Sequence, residues 1–360
     1  MPLEIPFGSS AIDGGAQPSL TARVPAGMPH ARQVCLVFAL LGAAARAGET
    51  PYDPLQVPAG AEATVWDSVV ADAARHRDIP VRVYLPPLDS ARGERGGEAP
   101  VVLFSHGLGG ARENDAYLGT HWARRGYVAV FLQHQGSDEA VWKGKPPAER
   151  LAALQKAASL EAFLERVKDV PAVLDQLDRW NGAEGHPLHG RLDLGKVGMS
   201  GHSFGAITTQ AVSGQRMPLT SVSFTDARIR AALVLSPSAP RRGSAKDAFS
   251  FVKIPWLLMT GTKDVAPIGE ATVESRLEVF PALPPGRKYE LVLDGAAHSV
   301  FGDRSFGLDA PRNPRHHPAI VGLSTAFWDA TLKDDPAAKQ WLDGSGPASL
   351  LDPKDHWQKK

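Results

Sequence analysis

The sequence predicts an α/β fold, a mostly parallel central sheet with helices on both faces, and three observations lead there. Short runs rich in Val and Leu lack polar alternation, the pattern of strands buried on both sides of a parallel sheet. These runs alternate with helical stretches, which calls for right-handed strand–helix–strand crossovers. With 35 Gly and 30 Pro in 360 residues, the chain also carries too many turn formers for a helical bundle.

Taken in order, 63–71 and 80–85 read as strands joined by a polar turn around Arg75-His76-Arg77-Asp78, a hairpin. Further strands are expected at 100–105, 127–133, 196–200, 231–236, 256–260 and 288–293. Helices are expected at 113–125, 149–180 and 204–213. The segment 136–180 is longer than a normal crossover and contains Trp142; it reads either as part of a lid or as one long packing helix with a loop. The charged stretch 333–360 reads as a short helix and a mobile tail. No internal repeat or long linker divides the chain, so 48–360 is read as a single catalytic domain.

Composition narrows the function classes. Hydrophobic residues at 43% and charged residues at 22% exclude a largely disordered chain. The balance of 39 Lys+Arg against 39 Asp+Glu argues against nucleic acid or an anionic membrane as the main partner. A lone cysteine, Cys35, makes neither an internal disulfide nor a thiolate metal cluster. It sits in a patterned segment: a basic start from Met28, an apolar run over 34–45, and the small residues Ala45-x-Ala47. That is the layout of a secretory signal peptide over 28–47, and the run falls short of the roughly 20 residues a spanning helix needs. The Pro-, Gly- and Ser-rich stretch 1–27 is then a start-site artefact or disordered leader. The other reading is a buried or fraying N-terminal helix behind that leader. With export, the chain is secreted or periplasmic, and Cys35 leaves with the signal.

The strongest local motif is Gly201-His202-Ser203-Phe204-Gly205. It follows an expected buried strand and opens an expected helix, as a strained nucleophile elbow requires, and the helix N-terminus favours developing negative charge. Ser105-His106-Gly107-Leu108-Gly109-Gly110 ends the strand over 100–105. Acyl transfer needs backbone N–H donors aimed at the tetrahedral oxyanion. Leu108 and Phe204, the residue after the nucleophile, are the expected oxyanion-hole donors. No G-K-[ST] or G-x-G-x-x-G pattern supports a phosphate cradle instead.

The base and its orienting acid should follow in the order Ser, Asp or Glu, His. Asp264 follows the strand over 256–260, and His298 follows the last strand, both at carboxyl ends where an open α/β sheet builds its site. His298 would take the Ser203 proton and Asp264 would fix its tautomer. Asp294 is closer to His298 in sequence but reads as a stabiliser of the Gly-Ala-Ala turn. His106 and His202 are expected to bond the backbone of their own loops, and His121 and His134 to be packing or surface histidines. His316-His317, in a Pro/Arg-rich loop, lacks the ligand set of a metal site. Trp142 is a candidate substrate-binding residue, though an aromatic near a site more often packs.

These motifs resemble those of α/β-hydrolases. The likeness is to bacterial dienelactone-hydrolase-like proteins and to platelet-activating-factor acetylhydrolases, which carry a similar F-S-H-G-L-G loop and G-H-S-F-G elbow. A second likeness is to cutinase-type polyester hydrolases, through Asp264-Val265-Ala266-Pro267 and Gly295-Ala296-Ala297-His298-Ser299. The resemblance implies an α/β-hydrolase fold and a serine esterase. There are departures. Acetylhydrolases place the acid after the preceding strand, where Ser236-Pro237-Ser238 offers no carboxylate. Dienelactone hydrolases use a cysteine nucleophile, where this elbow has Ser203. Polyester hydrolases often carry an aromatic at the oxyanion loop and a C-terminal disulfide, where this chain has Leu108 and no suitable cysteine.

The expectation is therefore an exported serine hydrolase acting on a small-molecule or lipid-like carboxylic ester, with no metal or organic cofactor and no stable membrane anchor. Lactonase, amidase, acyltransferase or polyester hydrolase on the same residues are the alternatives. A non-catalytic binding protein on the same scaffold is the remaining class, disfavoured because serine, base and oxyanion glycines are all present. Oligomeric state and acyl specificity are not legible in the chain.

Overall fold

A computed structural model describes residues 51–87, 97–217, 220, 222–303 and 312–360. The expected leader, the signal segment 28–47 and Cys35 lie outside the described residues.

The strands are β1 (Thr64–Asp72), β2 (Arg77–Leu85), β3 (Ala99–Ser105), β4 (Val128–Leu132) and β5 (Leu192–His202), followed by β6 (Ile229–Leu235), β7 (Trp256–Lys263), β8 (Lys288–Ala297) and β9 (His356–Lys359). They form one nine-stranded sheet in the order β1-β2-β4-β3-β5-β6-β7-β8-β9. From β4 to β8 every pairing is parallel; β1, β2 and β9 join antiparallel at the edges. The crossing of β3 and β4 in this order means that β3 and β5 lie side by side, which brings the two motif loops together.

The central strands are apolar on both faces because both faces are covered. Along β3, Val101 and Leu103 point to one side and Val102 and Phe104 to the other, the two-residue period of a strand. One side packs against α1 (Ala116–Arg124) and α8 (His316–Leu332) through Leu118, Trp122, Phe327 and Trp328. The other packs against α3 (Leu160–Gly182) and α4 (Phe204–Val212) through Val167, Val170, Leu174 and Val212. Each fully buried large apolar side chain contributes roughly 1.5–3 kcal/mol, so the sheet is held by this two-sided burial.

Several expectations are corrected in detail. The hairpin turn is Ala73–His76, with β2 beginning at Arg77; His76 takes a left-handed conformation there (φ 49°). The expected helix over 149–180 is two helices, α2 (Pro147–Ala157) and α3, split where the Ser159 hydroxyl caps α3 by accepting from Ala162 N at 3.1 Å. The split also divides the lid candidate 136–180. α3 packs on the sheet, whereas α2 buries none of its residues. His316 and His317 form the first turn of α8 rather than a loop. Of the short helix and mobile tail expected over 333–360, the helix is α9 (Pro336–Asp343), while the tail is instead ordered as β9, which pairs with β8 from Tyr289↔Lys359 to Val292↔His356. His-Trp-Gln-Lys is too short and polar to announce a strand, and the open edge of β8 supplies the reason it forms. Among the described residues no helix is long and apolar enough to cross a membrane.

Candidate active site

The turn between β5 and α4 places Ser203 at φ 58° and ψ −114°, a conformation that costs a non-glycine residue on the order of 1–3 kcal/mol. Packing holds it there. Ser203 N donates to Leu235 O at 3.1 Å, and the end of β3 passes directly over the start of α4. A Cβ on Gly205 would lie 1.8 Å from Ser105 O, and one on Gly201 would lie 2.4 Å from Gly205 O. Both flanking glycines are therefore demanded by backbone approach.

Ser203, His298 and Asp264 meet although they come from the ends of three different strands. His298 Nε2 lies 2.8 Å from Ser203 Oγ, and His298 Nδ1 lies 2.6 Å from Asp264 Oδ1. A carboxylate only accepts, so Nδ1 carries the proton and Nε2 is left to accept from the serine hydroxyl. Asp264 is fully buried and also accepts from the hydroxyls of Ser236 at 2.7 Å and Thr260 at 2.9 Å. Burial opposes its charge, but the His298 bond, the nearby Arg276 guanidinium and Ser236 outweigh burial and hold the carboxyl below its usual value. Arg276, on α6 (Val273–Leu277), lies 3.1 Å from Asp264 Oδ1 and ties down Asp264 O, Ser236 O and Pro237 O. Sequence reasoning missed Arg276 because nothing in Glu274-Ser275-Arg276-Leu277 sets it apart from a solvated helix face. Asp294 does not reach His298: its amide donates to Asp355, and its carboxylate lies 3.5 Å from Thr262 Oγ1.

The loop after β3 lies against the same serine. A Cβ on Gly107 would stand 3.3 Å from Ser203 Cβ. Among the described residues neither Leu108 N nor Phe204 N has a protein acceptor; the latter is one of the unpaired donors at the start of α4. Trp142 packs on this loop, with its indole N–H donating to Gly109 O at 2.8 Å. Gly109, at φ 71°, leaves no room for a Cβ beside Trp142 and Leu154 of α2.

The remaining histidines are placed as follows. His106 Nδ1 contacts Gly107 O at 2.6 Å within its own loop, as expected, whereas His202 Nε2 donates to His298 O at 3.1 Å, outside the elbow. His121 contacts Pro54 O at 3.1 Å. His317 stacks on Tyr117 with centroids 4.3 Å apart. Among the described residues no group of three His, Cys, Asp or Glu side chains is placed to hold a metal ion.

His134 is more than a packing residue. Asp169 Oδ2 lies 2.8 Å from His134 Nδ1, and His134 Nε2 lies 2.8 Å from Ser105 Oγ, a second Asp–His–Ser chain. All three residues are fully buried, so no ester reaches that serine. Asp169 is further paired with Arg75 and Arg77. Asp169 and Arg166 fall on the apolar stripe of α3 that carries Phe163, Val167, Val170 and Val173, and charge at core-facing positions was the available signal.

Burial keeps three histidines neutral. It lowers His134 to about 4, helped by Arg166, and His202 to about 3, helped by His298; His106 is also pushed well down by burial and Arg166. In the unfolded chain each titrates near 6.5. Below that pH the unfolded state binds more protons than the folded one, so stability falls on acidification. Urea unfolding is expected to show a free energy declining from about pH 6.5 to pH 4, by up to about 1.4 kcal/mol per pH unit for each histidine. A flat profile over that range would mean that these rings are not held neutral.

Residues 82–143 match the family model described as platelet-activating factor acetylhydrolase, isoform II. This is an ester-hydrolase family of the α/β-hydrolase superfamily. The matched stretch runs from β2 through the Ser105–Gly110 loop to Lys143; Ser203, Asp264 and His298 lie beyond it. A search of curated proteins found no match. With its mostly parallel sheet, the chain has an α/β-hydrolase-type fold and is a carboxylic ester hydrolase similar to the platelet-activating-factor acetylhydrolases.

Proposed function

We propose that this ester hydrolase works through Ser203, His298 and Asp264 by way of an acyl-enzyme. The observation that carries the reading is the unbroken hydrogen-bonded chain, 2.8 Å then 2.6 Å, ending on a serine at a strained strand-to-helix turn. Ser203 Oγ attacks the ester carbonyl carbon while its proton passes to His298 Nε2. The negative charge that forms on the carbonyl oxygen is met by Leu108 N and Phe204 N, and Asp264 stabilises the imidazolium. Collapse of the tetrahedral intermediate expels the alkoxide, which takes the proton from His298. A water, deprotonated by the same nitrogen, then attacks the acyl carbon and frees Ser203 with release of the acid. The steps draw on no metal or organic cofactor.

The substrate is read as a small-molecule or lipid-like ester, with Trp142 beside the oxyanion loop as part of its wall. The same reading has the chain exported through residues 28–47 to the periplasm or medium.

A fluorophosphonate probe is expected to label Ser203, located by peptide mass spectrometry, and nitrophenyl esters of rising chain length to be turned over. Parallel assays with a lactone, an anilide, an aromatic polyester and an acceptor alcohol separate the alternatives. Faster turnover of the anilide or lactone than of the matched ester would replace the ester reading, and labelling at any other residue would remove Ser203 from it.

A further inference from the structure

Arg166 is fully buried on α3, and the mechanism above makes no use of it. Its guanidinium is aimed at the back of the loop that carries Leu108. Nη1 donates to His106 O at 2.7 Å, Nη2 reaches Gly107 O at 3.4 Å, and Nε donates to Ser137 Oγ at 2.8 Å. Nη2 also lies 3.4 Å from Ser137 O, which accepts from Gly109 N at 2.8 Å, so both sides of Leu108 are tied to one group. The guanidinium carbon stands 4.4 Å from the centre of the Phe204 ring, a cation–π contact with the residue that supplies the other donor.

The chemistry of the peptide bond turns this bracing into aim. Gly107 C=O and Leu108 N–H belong to one planar trans peptide and point in opposite directions. Gly107 O is held on the buried side by Arg166 and by His106 Nδ1 at 2.6 Å. His106 Nε2 accepts from His134 N at 3.0 Å, so Nδ1 is the protonated nitrogen and donates. With its carbonyl anchored on Arg166, the Leu108 N–H points the opposite way, away from the guanidinium. The Asp169–His134–Ser105 chain stands beside Arg166, whose Nη1 lies 3.4 Å from Ser105 Oγ. Burial pulls the Arg166 guanidinium down to about 9, against the opposing pull of the Asp169 and Asp138 carboxylates, so it stays charged at neutral pH.

We propose that Arg166 is a positioning residue for the oxyanion site, fixing the direction of the Leu108 amide and the seat of Phe204 at once. The proposal rests on the ester-hydrolase reading of Ser203.

The test compares wild-type enzyme, R166M and R166K. Each kcat is expressed per mole of Ser203 labelled at completion by the fluorophosphonate, so unfolded protein is not counted. R166M is expected to lose kcat by about 10- to 100-fold, up to the cost of removing one oxyanion donor, with KM within about threefold. Affinity for a trifluoromethyl ketone, whose hemiketal oxygen occupies the same place, should fall by a similar factor. The midpoint of the kcat–pH profile should stay put, since the base is untouched. R166K, with the charge but a single point of attachment, should lie between. Wild-type kcat per site in R166M, a loss confined to KM, or a displaced pH midpoint would each overturn the proposal. Should R166M yield no titratable sites, R166K decides: an intermediate kcat supports the bracing role and a wild-type value ends it. Failure of the wild-type enzyme to label at Ser203 would instead sink the underlying reading before any variant is compared.

Discussion

Ser203→Ala is expected to lower kcat by about 10⁶-fold on any ester substrate, with KM little changed. The size follows from the covalent step: without the hydroxyl no acyl-enzyme forms, and His298 has no proton to accept from the protein. What is left is the oxyanion site acting on direct attack by water, a residual of about 10³–10⁴ over solution. The fold should survive. Ser203 is not the hydrogen-bond partner of any structural side chain besides His298, and alanine accepts the elbow geometry that Gly201 and Gly205 make possible. Circular dichroism and the unfolding midpoint should therefore match wild type while fluorophosphonate labelling disappears. Activity retained above about one per cent of wild type, far above the residual expected once the nucleophile is gone, would mean that another nucleophile does the chemistry.

Asp264→Asn is the second large effect, about 10⁴-fold in kcat by analogy with an orienting-acid amide. Asparagine keeps the shape but presents an N–H₂ where His298 Nδ1–H needs an acceptor, so the ring turns to the wrong tautomer or loses its bond. The buried Arg276, 3.1 Å away, also loses its counter-charge, which adds destabilisation. Asp294→Asn serves as the comparison, and its kcat should stay within about threefold of wild type, the range of a turn change outside the reacting groups. The reverse pattern, with Asp294→Asn crippling and Asp264→Asn mild, would move the acid to Asp294. Because the folded carboxyl of Asp264 sits below its unfolded value, its contribution to stability is present at neutral pH and is lost as pH falls through the folded value.

Much of the sheet was legible because buried parallel strands are local signals. The stretches 100–105 and 231–236 read as strands from their own residues, since both neighbours and both faces are apolar. Strand ends were less legible: β5 runs on from Ser200 through Gly201 and His202, and β7 on to Lys263, where ladder pairing continues past the apolar run. β9 was invisible because its order comes from the edge of β8, and α8 because the Pro/Arg-rich start conceals a helix that Phe327 and Trp328 bury against the sheet. Ser203, Asp264 and His298 were each marked by position at a strand end. Arg276, Ser236 and Arg166 were not, since their roles depend on which loops come within 3 Å of one another.

Sequence alone was enough for the class of fold and the chemistry on offer: apolar period and turn glycines are properties of short stretches, and the order serine, acid, base is read along the chain. The tertiary structure alone decided between rivals. It set Asp264 rather than Asp294 against His298 Nδ1, and it gave the chain two Asp–His–Ser series of similar hydrogen-bond length. Residue type treats those series alike, although the second runs Ser105, His134, Asp169 along the chain. Burial separates them, because Ser105 is closed off under α3 while Ser203 stands half-exposed at the strand-to-helix turn, where a carbonyl carbon can approach.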